Sequence, residues 1–216
     1  MSTKILFLVF LMQTINLCSQ DPVKKSIFFG GRLGLSTMYV TESAGSLKAD
    51  YDNRTGINTA LFFEFELGKH FSFQPELNFT NKGYKFNQGQ SVNVKLNYLE
   101  LPLILKPKIP LGENFEIYGD IGPSFSLGLG GEAIVNNRAY GDLFGDGGYR
   151  SFDLGLNYGG GFNVKLSSGY KFGLGIRFFK GLSELYPPNS GGSSGFGSVS
   201  GRNNGFIVGF SLMNNL

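Results

Sequence analysis

The chain has 216 residues, of which 33 are glycine and 15% are aromatic, while charged residues make up only 16% and the formal net charge is +3. This composition argues against a helical or α/β protein and is typical of an all-β chain rich in Gly and Phe. The small, dispersed positive charge argues against a nucleic-acid partner. No segment resembles a linker between two cores, so we expect one domain.

The first twenty residues have the pattern of a secretory signal peptide. Lys4 precedes an apolar run over residues 5–12, and small polar residues follow it. The run is too short and too close to the start of the sequence to be a spanning helix. We predict that residues 1–20 are removed after Sec-type export and that residues 21–216 form the mature domain.

Cys18 is the only cysteine of the chain, which excludes a disulfide within the mature protein. A lipoprotein anchor at Cys18 is disfavoured, because the bulky Leu17 stands where that signal requires a small residue.

Eight segments of the remaining chain alternate apolar and polar residues, which is the period of a strand with two unlike faces. Each segment is longer than the usual globular strand of about five or six residues and reaches the roughly nine to eleven that an oblique bilayer crossing needs. No run of apolar residues is long enough for a spanning helix. The predicted strands are 27–39, 56–68, 71–84, 93–107, 114–128, 151–166, 169–181 and 204–215.

The predicted links between these strands alternate in length. Those after the second, fourth and sixth strands are tight, at 69–70, 109–114 and 167–169, whereas the other links are longer. The longest are 130–150 and 182–202. Short turns on one rim, long loops on the other and an even strand number predict an eight-stranded antiparallel up-and-down transmembrane β-barrel, with periplasmic turns and extracellular loops.

One face of the predicted strands carries about thirty bulky apolar residues, such as Phe63 and Leu77, and they cannot all fit inside a narrow eight-stranded barrel. They must lie outside a closed barrel or between the two sheets of a soluble sandwich. The opposite face carries charges and many glycines, which weaken a solvated strand without benefit. We therefore predict that the apolar face meets lipid.

Small residues on the inner face leave room for long charged side chains to cross the lumen and pair. Unpaired charges there would cost several kcal/mol each, so we expect hydrogen-bonded ion pairs. The predicted interior charge network comprises Arg32, Glu64, Glu66, Glu76, Lys82, Glu100, Lys106, Asp120 and Arg177. Pro75, Pro102 and Pro107 interrupt strand patterns and predict bulges or strand ends near the periplasmic rim.

Several segments carry a likeness to a known family: GGRLGLSTM (30–38), FFEFELGKHFSFQPELNFTNKGYK (62–85), NYLELPLILK (97–106), IYGDIGPSFSLGL (117–129) and YGGGFNV (158–164). They resemble the PorT-like outer-membrane β-barrel family of Bacteroidetes, with FQPELNF and YLELPL as the best markers. The resemblance covers essentially the whole mature chain and implies a small barrel in the bacterial outer membrane. The family is named for a component of type IX secretion, so a link with that pathway is a further expectation.

Catalytic and metal sites are not expected. His70 is the only histidine and lies in a tight turn at the periplasmic rim, whereas barrel hydrolases need a histidine near the outer leaflet. Asp142, Asp146 and Asp153 offer oxygen ligands among glycines, but their spacing matches no complete calcium loop and favours a Gly/Asp turn. We predict no catalytic residue, metal or cofactor.

The sequence therefore favours a non-enzymatic outer-membrane barrel with a structural, adhesive or assembly-supporting role. Its expected partners are outer-membrane lipid and an envelope protein that contacts the extracellular loops, and the barrel is expected to be a monomer. One alternative is a narrow porin-like passage for small solutes. A weaker alternative is a soluble periplasmic β-protein that binds an apolar ligand.

Overall fold

A computed structural model describes residues 26–43, 51–87, 91–141, 143–144, 148–166, 169–185 and 200–216. Within these residues no helix is long and apolar enough to span a membrane. The predicted signal peptide lies outside them and stays a prediction. The strands are β1 (Ile27–Ser43), β2 (Tyr51–Asp52), β3 (Arg54–Glu66), β4 (Phe71–Asn87), β5 (Ser91–Leu111), β6 (Phe115–Val135), β7 (Arg138–Gly141), β8 (Phe152–Lys165), β9 (Tyr170–Gly181) and β10 (Ser200–Asn215).

Eight of these strands close into a ring. Each of them pairs antiparallel with its neighbours in the order β1, β3, β4, β5, β6, β8, β9 and β10, and β10 returns to β1. The closing pair runs from Phe28 opposite Asn215 to Ser43 opposite Ser200, so no free edge remains along it. The short β2 extends the sheet beside β4, and β7 forms a hairpin with β6. The predicted eight-stranded up-and-down barrel is confirmed.

The ring strands lie within a few residues of their predicted positions on the periplasmic side, and several extend further on the extracellular side. β4 continues to Asn87 and β5 begins at Ser91, so only residues 88–90 connect them. The prediction of a long link after the third ring strand was therefore wrong. The strands are longer than a bilayer crossing requires, and the excess stands above the membrane.

The prolines do not produce the predicted bulges. Gln74 pairs with Ile104 and Asn78 pairs with Glu100 in one unbroken register, although Pro75 and Pro102 interrupt individual ladder positions. The register shift of β5 against β6 lies at Asn97 and Tyr98 instead. A missing N–H removes one ladder hydrogen bond, and the surrounding pairs hold the register without an inserted residue.

The outward face is apolar, as predicted. None of the predicted lipid-facing residues is buried, and Leu61, Leu77 and Phe210 are among the most exposed. Charged residues such as Glu64 and Glu76 are buried inside. A soluble sandwich would show the reverse arrangement, so the prediction that the apolar face lies on the outside of the barrel is confirmed.

The polarity reverses at the extracellular end of the barrel. Val94, Leu96 and Tyr98 of β5 point inward and are buried, whereas Lys95 and Asn97 point outward. We call the resulting apolar cluster the extracellular cap. Its buried members are Val40, Tyr84, Val94, Leu96, Tyr98 and Leu185, and Val92, Ala133, Leu143, Phe144 and Tyr149 pack against them.

Candidate functional site

The structure places all nine residues of the predicted network inside the barrel and brings each of them to an oppositely charged partner. Four more residues join them: Lys108, Glu116, Asp153 and Lys171. The side chains form three groups along the lumen, which we call the inner, middle and outer clusters. Inner means nearest the periplasm.

The inner cluster alternates carboxylates with lysines. Lys106 Nζ donates to Glu64 Oε2 at 2.9 Å, and Lys108 Nζ donates to Glu64 Oε1 at 3.2 Å and to Glu66 Oε1 at 3.1 Å. Lys171 Nζ donates to the same Glu66 oxygen at 3.1 Å and lies 3.7 Å from Glu116 Oε1. Three positive groups face three negative ones, so the cluster is neutral as a whole.

The middle cluster is built on Glu76, whose side chain is 0% exposed. Arg32 binds both of its oxygens, at 3.2 and 2.8 Å, and Arg177 Nη1 donates to Oε2 at 2.8 Å. Arg177 also donates to Asp120 Oδ2 through Nη2 at 2.8 Å. Two guanidinium groups thus match two carboxylates, in the planar geometry that favours arginine over lysine at such a site.

The outer cluster is built on Lys82, which is fully buried and lies between Glu100 at 2.6 Å and Asp153 at 3.0 Å. Its ammonium group also stands over the ring of Phe179, 3.7 Å from the ring centre, which adds a cation–π contact. Two carboxylates face a single lysine here. Neutral donors offset the excess negative charge, and they are Thr80, Ser126, Ser183 and Asn203.

Hydrogen bonds join the three clusters into one network. Gln74 accepts from Lys106 at 2.8 Å and donates to Glu76 at 2.6 Å, which links the inner and middle clusters. Arg32 of the middle cluster donates to Asn58, and Asn58 donates to Thr80 at 2.7 Å. Thr80 then donates to Glu100 at 2.9 Å, in the outer cluster. Because the members polarise and orient one another, the network acts as a unit.

Glycines make room for aromatic rings that occupy part of the lumen. A Cβ at Gly128 would lie 2.7 Å from the ring of Phe144, and a Cβ at Gly155 would overlap Phe179. Tyr118 lies against Gly161 in the same way. Sequence reasoning had assigned this space mainly to charged side chains, and the structure shows that rings use much of it.

The extracellular mouth is covered by two loop segments that fold inward. Phe144 packs edge-on against Tyr98 with ring centres 5.4 Å apart, and the hydroxyl groups of Tyr149 and Tyr84 lie 2.8 Å from each other. Arg150 N donates to the carbonyl of Leu185 at 2.9 Å, which ties the two segments together. Phe144, Tyr149, Arg150 and Leu185 therefore cover the mouth within the part of the chain that the structure describes.

A cavity of about 20 Å³ remains inside the described part of the barrel. It lies beside the middle cluster and is lined by Arg32, Tyr118, Asp120 and Arg177, among others. This volume fits about one water molecule. It is far smaller than the pockets of about 300–1,000 Å³ that hold small-molecule ligands.

The four additional network residues differ in how visible they were in the sequence. Glu116, Asp153 and Lys171 have the same alternation phase as the predicted members, so the phase alone identifies them. Lys108 was missed because Pro107 predicted the end of its strand, whereas β5 continues to Leu111. Nothing in the sequence indicated that the strand continues beyond this proline.

The other candidate sites of the sequence are not assembled within the described residues. There, no group of three or more His, Cys, Asp or Glu side chains is placed to hold a metal ion. Asp142 and Asp146 lie outside these residues, and Asp153 points into the lumen towards Lys82. His70 is exposed in its turn, and its Nδ1 lies 3.3 Å from the carbonyl of Lys108.

Comparisons with known proteins agree with this architecture. The model of the outer membrane protein beta-barrel domain family matches residues 18–186. The outer membrane protein OprG from Pseudomonas aeruginosa is similar in structure, with a TM-score of 0.53, 15% identity, and coverage of 88% of this chain and 96% of OprG. Neisserial surface protein A is similar with a TM-score of 0.50, 11% identity, and coverage of 86% and 96%. These identities carry the fold alone, and no curated protein matches the sequence. The chain belongs to the outer membrane protein β-barrel domain family and is a bacterial outer-membrane protein.

Proposed function

We propose that the protein is a sealed, non-enzymatic barrel that serves the outer membrane through the surfaces it displays, in a structural, adhesive or assembly-supporting role. The observation that carries this proposal is the filled lumen. The inner, middle and outer clusters occupy the membrane-embedded interior, and the extracellular cap lies above them.

The filled lumen argues against a porin-like passage on two physical grounds. Eight strands enclose an interior that is normally just wide enough for side chains. In addition, a hydrated solute would have to displace buried ion pairs such as Glu76 with Arg32 and Arg177, and breaking a buried pair costs about 3–5 kcal/mol. The apolar cap adds a constriction that disfavours water and ions.

Single-channel recording in planar bilayers tests the sealed lumen. We expect no steady conductance steps from the purified chain, while a conducting porin inserted in the same bilayer serves as the positive control. Steady and reproducible steps whose size scales with salt concentration would overturn the proposal and favour the narrow passage.

The non-enzymatic part of the proposal is supported by the position of His70. Ser–His and Asp–His sites of membrane barrels act at or beyond the outer leaflet, whereas His70 lies in the β3–β4 turn at the periplasmic rim. Its near neighbour there is a backbone carbonyl of Lys108 rather than a hydroxyl or carboxylate. Hydrolysis of a phospholipid or peptide substrate that disappears in His70→Ala would contradict this reading.

We further propose that the protein is a PorT-like barrel of Bacteroidetes with a link to type IX secretion. It is supported only by the resemblance of FQPELNF (73–79) and YLELPL (98–103), and by the compatible topology. Deletion of the gene should then reduce secretion of type IX cargo. Purification of the protein in mild detergent should recover a defined envelope complex that contains one copy of the barrel. Normal secretion in the deletion strain would remove this link and leave the sealed barrel intact.

The export route is proposed from the first twenty residues. Their charged start and apolar run support Sec-type export with removal of residues 1–20. N-terminal sequencing of the protein from outer membranes should begin near residue 21. A start at Met1 would contradict the prediction.

A further inference from the structure

Two positive side chains lie on the outward face at the extracellular ends of β9 and β10. Lys180 follows Phe178 in the outward row of β9, and Arg202 stands above Phe206 in the outward row of β10. The rings of Phe178 and Phe206 are in contact below the two cations, with centres 6.4 Å apart. The cations therefore stand where the apolar, lipid-facing surface of these two strands ends.

The strand ladder places the two cations close to each other. Lys180 pairs with Asn204, and Arg202 is two positions further along the same face of β10. Diagonal neighbours of this kind lie about 7–8 Å apart across an antiparallel pair. Both side chains are long, so the ammonium and guanidinium groups can reach one ligand that lies between them.

Neither cation has a carboxylate partner within the part of the chain that the structure describes. There, the outward rows of β8, β9, β10 and β1 contain no Asp or Glu. The ion pairs of the barrel include neither Lys180 nor Arg202, and they do not include Glu184 beyond the end of β9. Arg202 is half-buried, and its Nε is shielded from solvent without an acceptor among the described residues. Two neighbouring like charges destabilise a strand pair, so an anion from outside the chain would stabilise this one.

The opposite side of the ring is different. In ring order β4 and β5 lie across from β9 and β10. On that side Lys95 pairs with Glu132 at 2.7 Å, and Lys85 lies opposite Asp52 in the ladder. These outward cations each face a carboxylate of the chain itself. Adjacent cations without a counter-charge are thus a feature of the β9–β10 side.

Neutral hydrogen-bonding groups of β1 and β10 lie beside the cations. Asn204 Nδ2 donates to Thr41 Oγ1 at 3.0 Å and to the carbonyl of Arg202 at 3.1 Å, which holds the amide against the sheet. Thr41 pairs with Arg202 in the ladder and is exposed. Its oxygen accepts from Asn204, so its own hydrogen remains for a further acceptor. A phosphate group has several acceptor oxygens and therefore matches this set of charged and neutral donors.

We propose that Lys180, Arg202 and Thr41 bind the phosphate of one phosphorylated glycolipid of the outer leaflet. We call these three residues the phosphate site. The acyl chains of a lipid bound there would run along the apolar rows below, past Phe178 and Phe206. A soluble anion would make only the polar contacts, whereas the lipid also covers apolar surface, and this difference favours the lipid. The inference does not depend on the sealed lumen, because the phosphate site lies on the outward face.

Native mass spectrometry of the full barrel, released from detergent micelles that contain diphosphoryl lipid A, tests the phosphate site. We expect one lipid to be retained per barrel. Lys180→Gln combined with Arg202→Gln should weaken retention by about tenfold or more, because charge-assisted hydrogen bonds to phosphate are lost. Each single change should weaken it by a smaller factor. The matched control is Lys85→Gln combined with Lys95→Gln, which removes two outward cations from the opposite side and should leave retention unchanged.

Two further arms separate charge from folding and lipid from free anion. Lys180→Arg combined with Arg202→Lys keeps both charges and should retain the lipid, and the heat-dependent shift of the gel band verifies that each variant is folded. Inorganic phosphate in excess should not displace the lipid. Equal retention in the double glutamine variant and its control, or no retention by the unchanged barrel, would overturn the proposal. Displacement by inorganic phosphate would also overturn it, since the site would then select a free anion.

Discussion

Removing the carboxylate of Glu76 should destabilise the barrel more than removing any surface carboxylate. Glu76 is the point at which Arg32 and Arg177 meet, and its side chain has no contact with solvent. Among the described residues, Glu76→Ala leaves the two guanidinium groups in the lumen with Asp120 as their one remaining ion-pair partner. Both arginines start from inward-facing positions and are mostly buried, at 11% and 6% side-chain exposure, so a change of rotamer would give little access to solvent.

The expected cost follows from the number of bonds lost. Glu76 accepts three hydrogen bonds from arginine and one from Gln74, at 2.6–3.2 Å. Loss of one partner of a buried ion pair costs about 3–5 kcal/mol. The small cavity beside the cluster can admit about one water molecule, which reduces the penalty only in part. We therefore expect the free energy of unfolding to fall by about 3–5 kcal/mol.

Urea unfolding in phospholipid vesicles, followed by the heat-dependent mobility of the barrel in gels, measures this change. The matched control is Glu132→Ala, because Glu132 pairs with Lys95 on the outside at 2.7 Å with side chains 41% and 33% exposed. An exposed pair contributes about 0–1 kcal/mol. If Glu76→Ala cost no more than Glu132→Ala, the interior clusters would not stabilise the fold and the reasoning would fail.

Two further predictions use the same unfolding assay, and a third uses proteolysis. Phe63 points outward in the middle of the apolar, lipid-facing surface, so Phe63→Arg should cost about 2–4 kcal/mol. Thr55 lies on the same face of the strand but beyond that surface, so Thr55→Arg should cost about 0–1 kcal/mol. Equal costs would contradict the assignment of the outward face. Gly155→Ala forces a Cβ into the ring beneath it and should cost about 1–3 kcal/mol, while Gly130→Ala meets nothing within 4 Å and should be near neutral. Phe144→Ala should open the extracellular cap and speed cleavage by external protease in residues 143–150 while the gel shift of the barrel persists; loss of that shift would show that the cap is needed for closure of the ring.

Strand positions and faces could be predicted because apolar and polar residues alternate strictly in the membrane-spanning part of the strands. Lipid outside and charges inside give the largest contrast between neighbouring residues, so even a shift by one residue would place several apolar groups in the lumen. The extracellular cap was not predicted, although its signal is present. In β5 the apolar phase changes between Tyr98, which points inward, and Leu99, which points outward. Two adjacent apolar residues mark the level at which the membrane ends.

The pairing inside the lumen could be predicted in kind but not in detail. Arg177 meets Glu76 across 101 positions of sequence, and only the closed ring and its stagger bring them together. The same holds for the aromatic rings, because a glycine in the sequence does not reveal which ring will lie over it. Lys108 was excluded because a proline removes a ladder hydrogen bond, yet β5 continues past Pro107 through its pairing with β6 as far as Leu111.

The reversal of polarity in β5 indicates how far this strand extends above the membrane. Residues 91–98 form the part of this strand above the phase change. At about 3.4 Å per residue and a tilt of about 40°, they rise roughly 20 Å above the hydrocarbon, well beyond a headgroup layer of about 5–8 Å. This part of the barrel has an apolar interior and polar outward-facing residues, which is the arrangement of a water-soluble protein. A molecule that approaches the cell from outside can therefore contact β-sheet that extends beyond the bilayer surface.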